Sequence, residues 1–189
     1  NKPNVQCATN QCFPMSIANS LQFLENEHPK DFKVPNDHVK GIKGDNSLVG
    51  QLDLLANRFV PDEDNDGKPD RNKGSGVWFQ PMLRGKFQYL KNNNLDKKLV
   101  QKHQGVGYGD ANQDQALPPG DFTFMGVTSQ SKGEKPTFDF IIQELKRGED
   151  IEMVYKWESG GKKGGHAVRI TEAGITKGEP WIKYIHDRE

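Results

Sequence analysis

One cysteine near the start of the chain has the surroundings of a thiol nucleophile. Cys7 and Cys12 are the only cysteines among the 189 residues. A cysteine attacks a carbonyl carbon only as a thiolate, and the N–H groups at a helix N-terminus stabilise that anion. Cys12 stands at the predicted start of a helix, whereas Cys7 lies in the loop before it. The pattern favours Cys12 as the nucleophile.

Two other interpretations of the cysteines stay open. Cys7 and Cys12 are five positions apart and could form a disulfide, although so short a loop at a helix start would strain the bridge. Either thiol could instead be a small buried hydrophobic group. Neither alternative provides a nucleophile. If Cys12 is the nucleophile, Cys7 is a structural thiol or a minor redox partner.

A nucleophilic cysteine also needs a base, a group that orients the base, and donors for the oxyanion. His166 follows two glycines, which let a substrate come close, and it opens a predicted strand. Asp187 ends the next predicted strand, which would lie alongside His166 in an antiparallel hairpin. Gln6 precedes Cys12 by six positions, so a loop could return its side-chain amide to the thiol. The sequence therefore offers every part of a cysteine-based acyl-transfer site.

The other histidines are weaker candidates for the base. His186 is the rival, but it is adjacent to Asp187, and successive side chains of a strand face opposite sides. The remaining histidines lie in polar sequence surroundings and are predicted to face solvent: His28, His38 and His103.

At both ends the sequence resembles the papain-like cysteine peptidases. At about residues 5–25, the Gln-x5-Cys spacing, the aromatic residue after the cysteine and the following helix are similar to that family. At about residues 137–187 the similar features are a helix, the turn "RGED", the strand "IEMVY", the segment "GGHAVRITEAG" and a strand ending in "HD". A histidine followed by a strand-terminal aspartate is most similar to the C39-like bacterial branch.

The resemblance implies an α+β fold of the papain-like type. A single domain would span residues 1–189, with a polar, loop-rich insertion at about residues 60–135. The implied activity is hydrolysis of peptide bonds through an acyl-enzyme, with a protein or peptide as substrate. The implied nucleophile, base, orienting residue and oxyanion-hole side chain are, in that order, Cys12, His166, Asp187 and Gln6. Two alternatives stay open: an amidase or transpeptidase on the same triad, and a catalytically inactive calcium-binding recognition module.

The stretch "DEDNDGKPD" has the pattern of a calcium-binding loop. Ca²⁺ prefers several hard oxygen ligands, and acidic residues at alternate positions around a glycine turn supply them. The run resembles the DxDxDGxxD loops of thrombospondin type 3 repeats more than an EF-hand, because position 12 is Lys73 instead of Glu. A solvated acidic turn is the alternative, since Asp-Gly is a common turn pair. The predicted ligands of this structural calcium ion are Asp62, Asp64, Asp66, Asp70 and the backbone carbonyl of Lys68.

Apolar spacing predicts four helices and a C-terminal antiparallel sheet. The first predicted helix begins near Cys12 and covers about residues 12–25. The other three cover about residues 47–59, 81–92 and 137–147, and Gly148 closes the last of them. The predicted strands cover residues 151–157, 166–174 and 181–187. Residues 101–135 are predicted to be surface loops with one strand. Helices followed by strands are typical of an α+β fold.

Charge and hydropathy narrow the possible partners. Basic and acidic residues number 26 each, so the net charge is zero and nothing indicates a nucleic acid or an anionic membrane as partner. No stretch approaches the roughly 18 apolar residues of a membrane span. The calcium loop suits calcium-rich extracellular fluid, so together with the bacterial resemblance we expect a secreted protein. Because the sequence opens at Asn1 instead of Met, we expect a processed or trimmed chain.

Overall fold

The computed structural model of the chain describes residues 11–36, 46–60, 62, 65–67, 76–77, 79–104, 120–124, 127–131 and 136–185. The chain divides into two compact units. Residues 1–50 and 138–189 form the first, called the terminal unit, and residues 51–137 form the second, called the middle unit. The described residues combine helices with sheets, which confirms the predicted α+β class.

The helices and strands follow one another in the order α1, α2, α3, β1, β2, β3, α4, β4, β5, β6. The helices are α1 (Cys12–Glu27), α2 (Leu48–Asn57), α3 (Phe79–Asn92) and α4 (Phe138–Lys146). The strands are β1 (Val100–His103), β2 (Gly120–Phe124), β3 (Val127–Ser131), β4 (Ile151–Ser159), β5 (Lys162–Thr176) and β6 (Glu179–Ile185). Among the described residues, no helix is both long and apolar enough to cross a membrane.

The terminal unit contains an antiparallel sheet in the order β4-β5-β6. Only Gly160 and Gly161 make the first turn, because Ser159 already pairs with Lys162. Both glycines have positive φ, 58° and 74°, as the two central residues of a type I′ hairpin turn require. The prediction that His166 opens a strand after a long turn was therefore wrong. It is the fifth residue of β5, directly opposite Tyr155.

Helix α1 packs against β5 and β4 and is the central helix of the terminal unit. Every residue from Phe13 to Leu21 is buried, so its first half is covered on all sides. Helix α4 also packs on β5 and β4, and it ends as predicted. The Gly148 N–H bonds to the Leu145 carbonyl and the Glu149 N–H to the Glu144 carbonyl, both at 3.0 Å, which is the Schellman pattern.

The middle unit contains a mixed sheet in the order β1-β3-β2, in which β1 is parallel to β3 and β2 antiparallel to it. The prediction of surface loops with one strand was wrong here, since three strands lie in this region. Their sequences, VQKH, GDFTF and VTSQS, are short and mostly polar, so they lack the apolar alternation that marks a strand. Helices α2 and α3 pack closely, because a Cβ atom at Gly85 would lie 2.6 Å from the Ala56 nitrogen.

His103 in β1 is half-buried, which corrects the prediction that it faces solvent. Its ring centroid lies 5.0 Å from that of Phe79. Burial lowers the pKa of His103 to about 4, and the buried ammonium of Lys86 contributes to the same shift. Lys86 donates a hydrogen bond to the Gln101 side chain at 2.8 Å. His103 is therefore neutral in the folded protein at neutral pH.

The depressed pKa of His103 predicts an acid-sensitive contribution to stability. The unfolded chain takes up this proton below about pH 6.5, whereas the folded chain takes it up only near pH 4, so acid favours unfolding. Between pH 7 and pH 4 the wild type should lose about 2 kcal/mol more free energy of unfolding than His103→Gln, allowing for the ring's partial exposure. Urea unfolding at pH 7, 5.5 and 4 measures this difference. Parallel pH profiles for the two proteins would contradict it.

Candidate active site

Cys12 is the first residue of α1, as the sequence predicts for a nucleophile. The first intrahelical bond runs from the Met15 N–H to the Gln11 carbonyl at 2.9 Å, so the N–H groups of Cys12 and Phe13 precede the helical ladder. Gln11 makes no side-chain cap, and the first turn contains no acidic residue that would offset the positive end of the helix. Cys12 is partly exposed and forms no disulfide with any residue that the structure describes.

His166 lies at the boundary between the core and the surface of β5. The side chain is half-buried, and its Nε2 atom is buried from solvent. The ring stands edge-on to Tyr155 on β4, with ring centroids 5.8 Å apart and an interplanar angle of 89°. Val168, two residues further along the same face, is completely buried. The imidazole is therefore fixed against the sheet, with one nitrogen turned away from water.

The structure describes only two of the four residues predicted to form the catalytic site. Cys12 and His166 both belong to the terminal unit, and α1 packs against the strand that carries His166. Gln6 and Asp187 lie outside the described residues, as do Cys7 and the rival base His186. Among the described residues, β6 pairs with β5 only as far as Arg169 and Ile185. His166 is three residues before the β5 end of this ladder.

A buried ion pair that the sequence reasoning missed connects α1 to the sheet. Arg169 in β5 pairs with Asp150 just before β4, and their side chains are only 5% and 8% exposed. The Arg169 guanidinium carbon lies 4.1 Å from the centroid of the Phe23 ring in α1. The hydroxyl of Ser20, also in α1, is beside the Asp150 carboxylate without a hydrogen bond of good geometry. Burial raises the pKa of Asp150, and the guanidinium of Arg169 opposes that rise.

The position of Arg169 also shows which face of the sheet α1 covers at this point. Arg169 and His166 are three residues apart in one strand, so their side chains lie on opposite faces. Phe23, in the second half of α1, therefore contacts the Arg169 face. A signal for this pair was present in "HAVRITEAG", because an arginine between apolar residues at the centre of a strand needs a buried partner.

The start of the acidic loop folds around Asp62. The Asp62 carboxylate accepts hydrogen bonds from the N–H groups of Asp66 (3.1 Å) and Gly67 (3.0 Å). Gly67 has φ of 80°, so the chain turns sharply there. The other predicted ligands, Asp64, Lys68 and Asp70, lie outside the described residues. Within the part of the chain that is described, no three His, Cys, Asp or Glu side chains cluster as a metal site would require. Calcium binding stays a prediction.

If calcium binds, it should stabilise the folded chain by mass action. At a calcium concentration ten times the Kd, the gain is about 1.4 kcal/mol, or a rise in Tm of about 3–6 °C. Differential scanning calorimetry with CaCl₂ and with MgCl₂ measures the rise, which Asp62→Asn should abolish. Asp31→Asn removes an exposed carboxylate of the terminal unit and should leave the rise intact. Equal Tm values with and without calcium for the wild type would contradict the prediction.

Comparison of the chain with protein-family models, with curated proteins and with solved structures finds no match in any of the three. Function therefore has to be argued from the residues and contacts described above. The strongest of these are the helix-terminal cysteine, the half-buried histidine on the strand beside that helix, and the buried Arg169–Asp150 ion pair, whose arginine contacts Phe23 of α1.

Proposed function

We propose that this chain is a cysteine peptidase of papain-like fold in which Cys12 is the nucleophile and His166 the base. The observation that carries the proposal is the position of Cys12 at the N-terminus of a helix whose first half is buried and which packs against the strand of His166. A helix end without acidic residues stabilises a thiolate, and a thiolate needs a nearby imidazole for acyl transfer. Asp187 would orient the imidazole, and Gln6 would donate to the oxyanion.

The reaction would proceed in two steps, acylation of Cys12 and hydrolysis of the acyl-enzyme. The Cys12 thiolate forms a bond to the substrate carbonyl carbon, the C–N bond breaks, and the His166 imidazolium gives its proton to the leaving amine. Water then adds to the thioester as one of its protons passes to His166, the C–S bond breaks, and the acid product leaves, which regenerates the thiolate and the imidazolium. The Cys12 backbone N–H and the Gln6 side chain would stabilise the oxyanion in both steps.

The burial of His166 assigns different tasks to its two nitrogens in this proposal. Nε2 is buried from solvent, so it is the nitrogen that an orienting carboxylate would take. Nδ1 would then exchange protons with Cys12 and the substrate. A buried carboxylate partner on Nε2 fixes the ring and stabilises the imidazolium that forms during the reaction.

The contact between α1 and β5 limits how Cys12 can meet His166. Cys12 is eleven residues before Phe23, about 16 Å along a helix, and His166 is three residues before Arg169, about 10 Å along a strand. A helix that runs in the direction of β5 would bring Cys12 to the level of His166 or slightly beyond it. Since α1 contacts the opposite face at Arg169, the thiol would approach the imidazole around the end of the described β5–β6 ladder.

Alkylation of Cys12 tests the proposed pair directly. In a Cys7→Ser background, Cys12 is the only thiol. At pH 6, where an ordinary thiol with a pKa of about 8.5 is almost wholly protonated, iodoacetamide should label Cys12 at least about tenfold faster than in His166→Ala. His28→Ala removes an exposed histidine at the far end of α1 and should not change the rate. The same pH–rate profile with and without His166 would refute the pair.

A peptidase and a transpeptidase on this triad differ only in what attacks the acyl-enzyme. The proposal of hydrolysis predicts that added glycine amide or hydroxylamine diverts at most a minor fraction of the product, as mass spectrometry can measure. Predominant transfer to the amine would favour the transpeptidase. Calcium binding and secretion, expected from the acidic loop, belong to the same proposal.

A further inference from the structure

Aromatic side chains surround His166 on one face of the terminal sheet. Tyr155 is directly opposite His166, and Trp157 follows two residues later on β4, hence on the same face. Tyr184 on β6 pairs with Ile170, four residues from His166 and therefore on this face too. The rings of Tyr155 and Tyr184 lie 6.4 Å apart, centroid to centroid. We call Tyr155, Trp157 and Tyr184 the aromatic ledge.

Two of the three side chains of the aromatic ledge are exposed, and the third, Tyr155 opposite His166, is half-buried. Trp157 is 43% exposed and Tyr184 41% exposed. The indole of Trp157 lies flat against its cross-strand partner Gly164, where an added Cβ atom would be 2.6 Å from the ring. Any side chain at position 164 would displace the indole. Two aromatic surfaces thus remain open to solvent beside a half-buried imidazole, although burial of each would be favourable.

We propose that the aromatic ledge binds an aromatic side chain of the peptide substrate next to the scissile bond. This rests on the proposed function, because it takes His166 as the base. A leaving amine within hydrogen-bond reach of His166 is about 3 Å from the ring, and Trp157 is only about 7 Å further along the sheet face. The side chain next to the scissile bond therefore falls over the ledge. Ring-to-ring contact favours an aromatic residue there over a small one.

The same sheet contains a matched control for Trp157. Trp181 on β6 also lies against a cross-strand glycine, Gly174, where an added Cβ would be 2.7 Å from the indole. It is 37% exposed. Trp181 is three residues from Tyr184 in one strand, so it lies on the opposite face from the ledge. The Trp181 indole N–H donates to the Thr176 hydroxyl at 2.9 Å.

The kinetic test uses hexapeptides of glycine and alanine, with phenylalanine or alanine at each position in turn. Wild-type kcat/KM should be about tenfold higher for the best phenylalanine peptide than for the all-small peptide. Trp157→Ala should remove that preference, whereas Trp157→Phe should keep most of it. Trp181→Ala should keep it fully. An equal loss in Trp157→Ala and Trp181→Ala would overturn the proposal.

A binding measurement separates failure of the ledge from failure of the proposed function. Calorimetric titration of Cys12→Ala with the same peptides should show the phenylalanine preference, its loss in Cys12→Ala/Trp157→Ala and its retention in Cys12→Ala/Trp181→Ala. Trp157-dependent binding without any hydrolysis by the wild type would uphold the ledge and refute the peptidase. Hydrolysis with equal affinity for both kinds of peptide would uphold the peptidase and overturn the ledge. Absence of binding to every peptide would also overturn the ledge.

Discussion

Replacing Cys12 with alanine is expected to lower kcat for peptide hydrolysis by on the order of 10⁴-fold or more, as loss of the nucleophile does in other triads. His166→Ala should cost about as much, because the two residues act as a unit and their losses are not additive. The double variant should therefore be no worse than either single variant. Release of a fluorogenic peptide under saturating substrate measures all three. Full activity in Cys12→Ala would end the peptidase proposal.

The orienting residue is tested by comparing two adjacent positions that follow β6 in the sequence, Asp187 and His186. Asp187→Ala should lower kcat by at least about a hundredfold, since a base without its carboxylate loses orientation and charge stabilisation. His186→Ala should change kcat by no more than about threefold, because the proposal gives the role of orienting the imidazole to Asp187 alone. The reverse ranking would make His186 part of the site and remove Asp187 from it.

Replacing Arg169 with methionine is expected to reduce the free energy of unfolding by about 3–5 kcal/mol. The substitution keeps the apolar stem of the side chain but leaves the Asp150 carboxylate buried without its cation. The contact with Phe23 loses its guanidinium as well, and cation–π contacts that are shielded from water contribute about 1–2 kcal/mol. Urea-induced unfolding followed by circular dichroism measures the loss.

The ion pair between Lys183 and Glu172 in the same sheet is the control for Arg169. It has a good distance, 2.7 Å, but its side chains are 62% and 42% exposed. Lys183→Met should therefore cost no more than about 1 kcal/mol. If Arg169→Met cost as little, the buried pair would not be the anchor between α1 and the sheet. Asp150→Asn/Arg169→Met should recover part of the loss, because no buried charge is then left alone.

Local signals in the sequence were sufficient for the elements that carry the site. The spacing of apolar residues predicted that α1 starts near Cys12, and the structure agrees, because the first turn of a helix tolerates a proline such as Pro14. Gly148 marked the end of α4 because only a left-handed residue completes the Schellman pattern. These features depend on neighbours within a few residues, so a single sequence contains them.

Pairings between distant segments were harder to predict. The two-residue turn at Gly160 and Gly161 sets the register between β4 and β5. This register places Trp157 opposite Gly164 and Tyr155 opposite His166. The predicted strands, 151–157 and 166–174, left residues 158–165 as a longer connection, so this register was not predicted. The pairing of Arg169 with Asp150, nineteen residues away, depends on burial, which no local pattern reveals. The parallel pairing of β1 with β3 could not be predicted, because these strands are short and polar and lack the apolar alternation by which a strand is identified.

The pairing of Cys12 with His166 is the central claim, and the distance between them tests it most directly. A crystal structure at neutral pH measures the separation between the Cys12 Sγ atom and the His166 Nδ1 atom. The proposed peptidase requires about 3–4 Å, which allows proton transfer between thiol and imidazole. A separation above about 8 Å, with both residues on rigid elements, would contradict it.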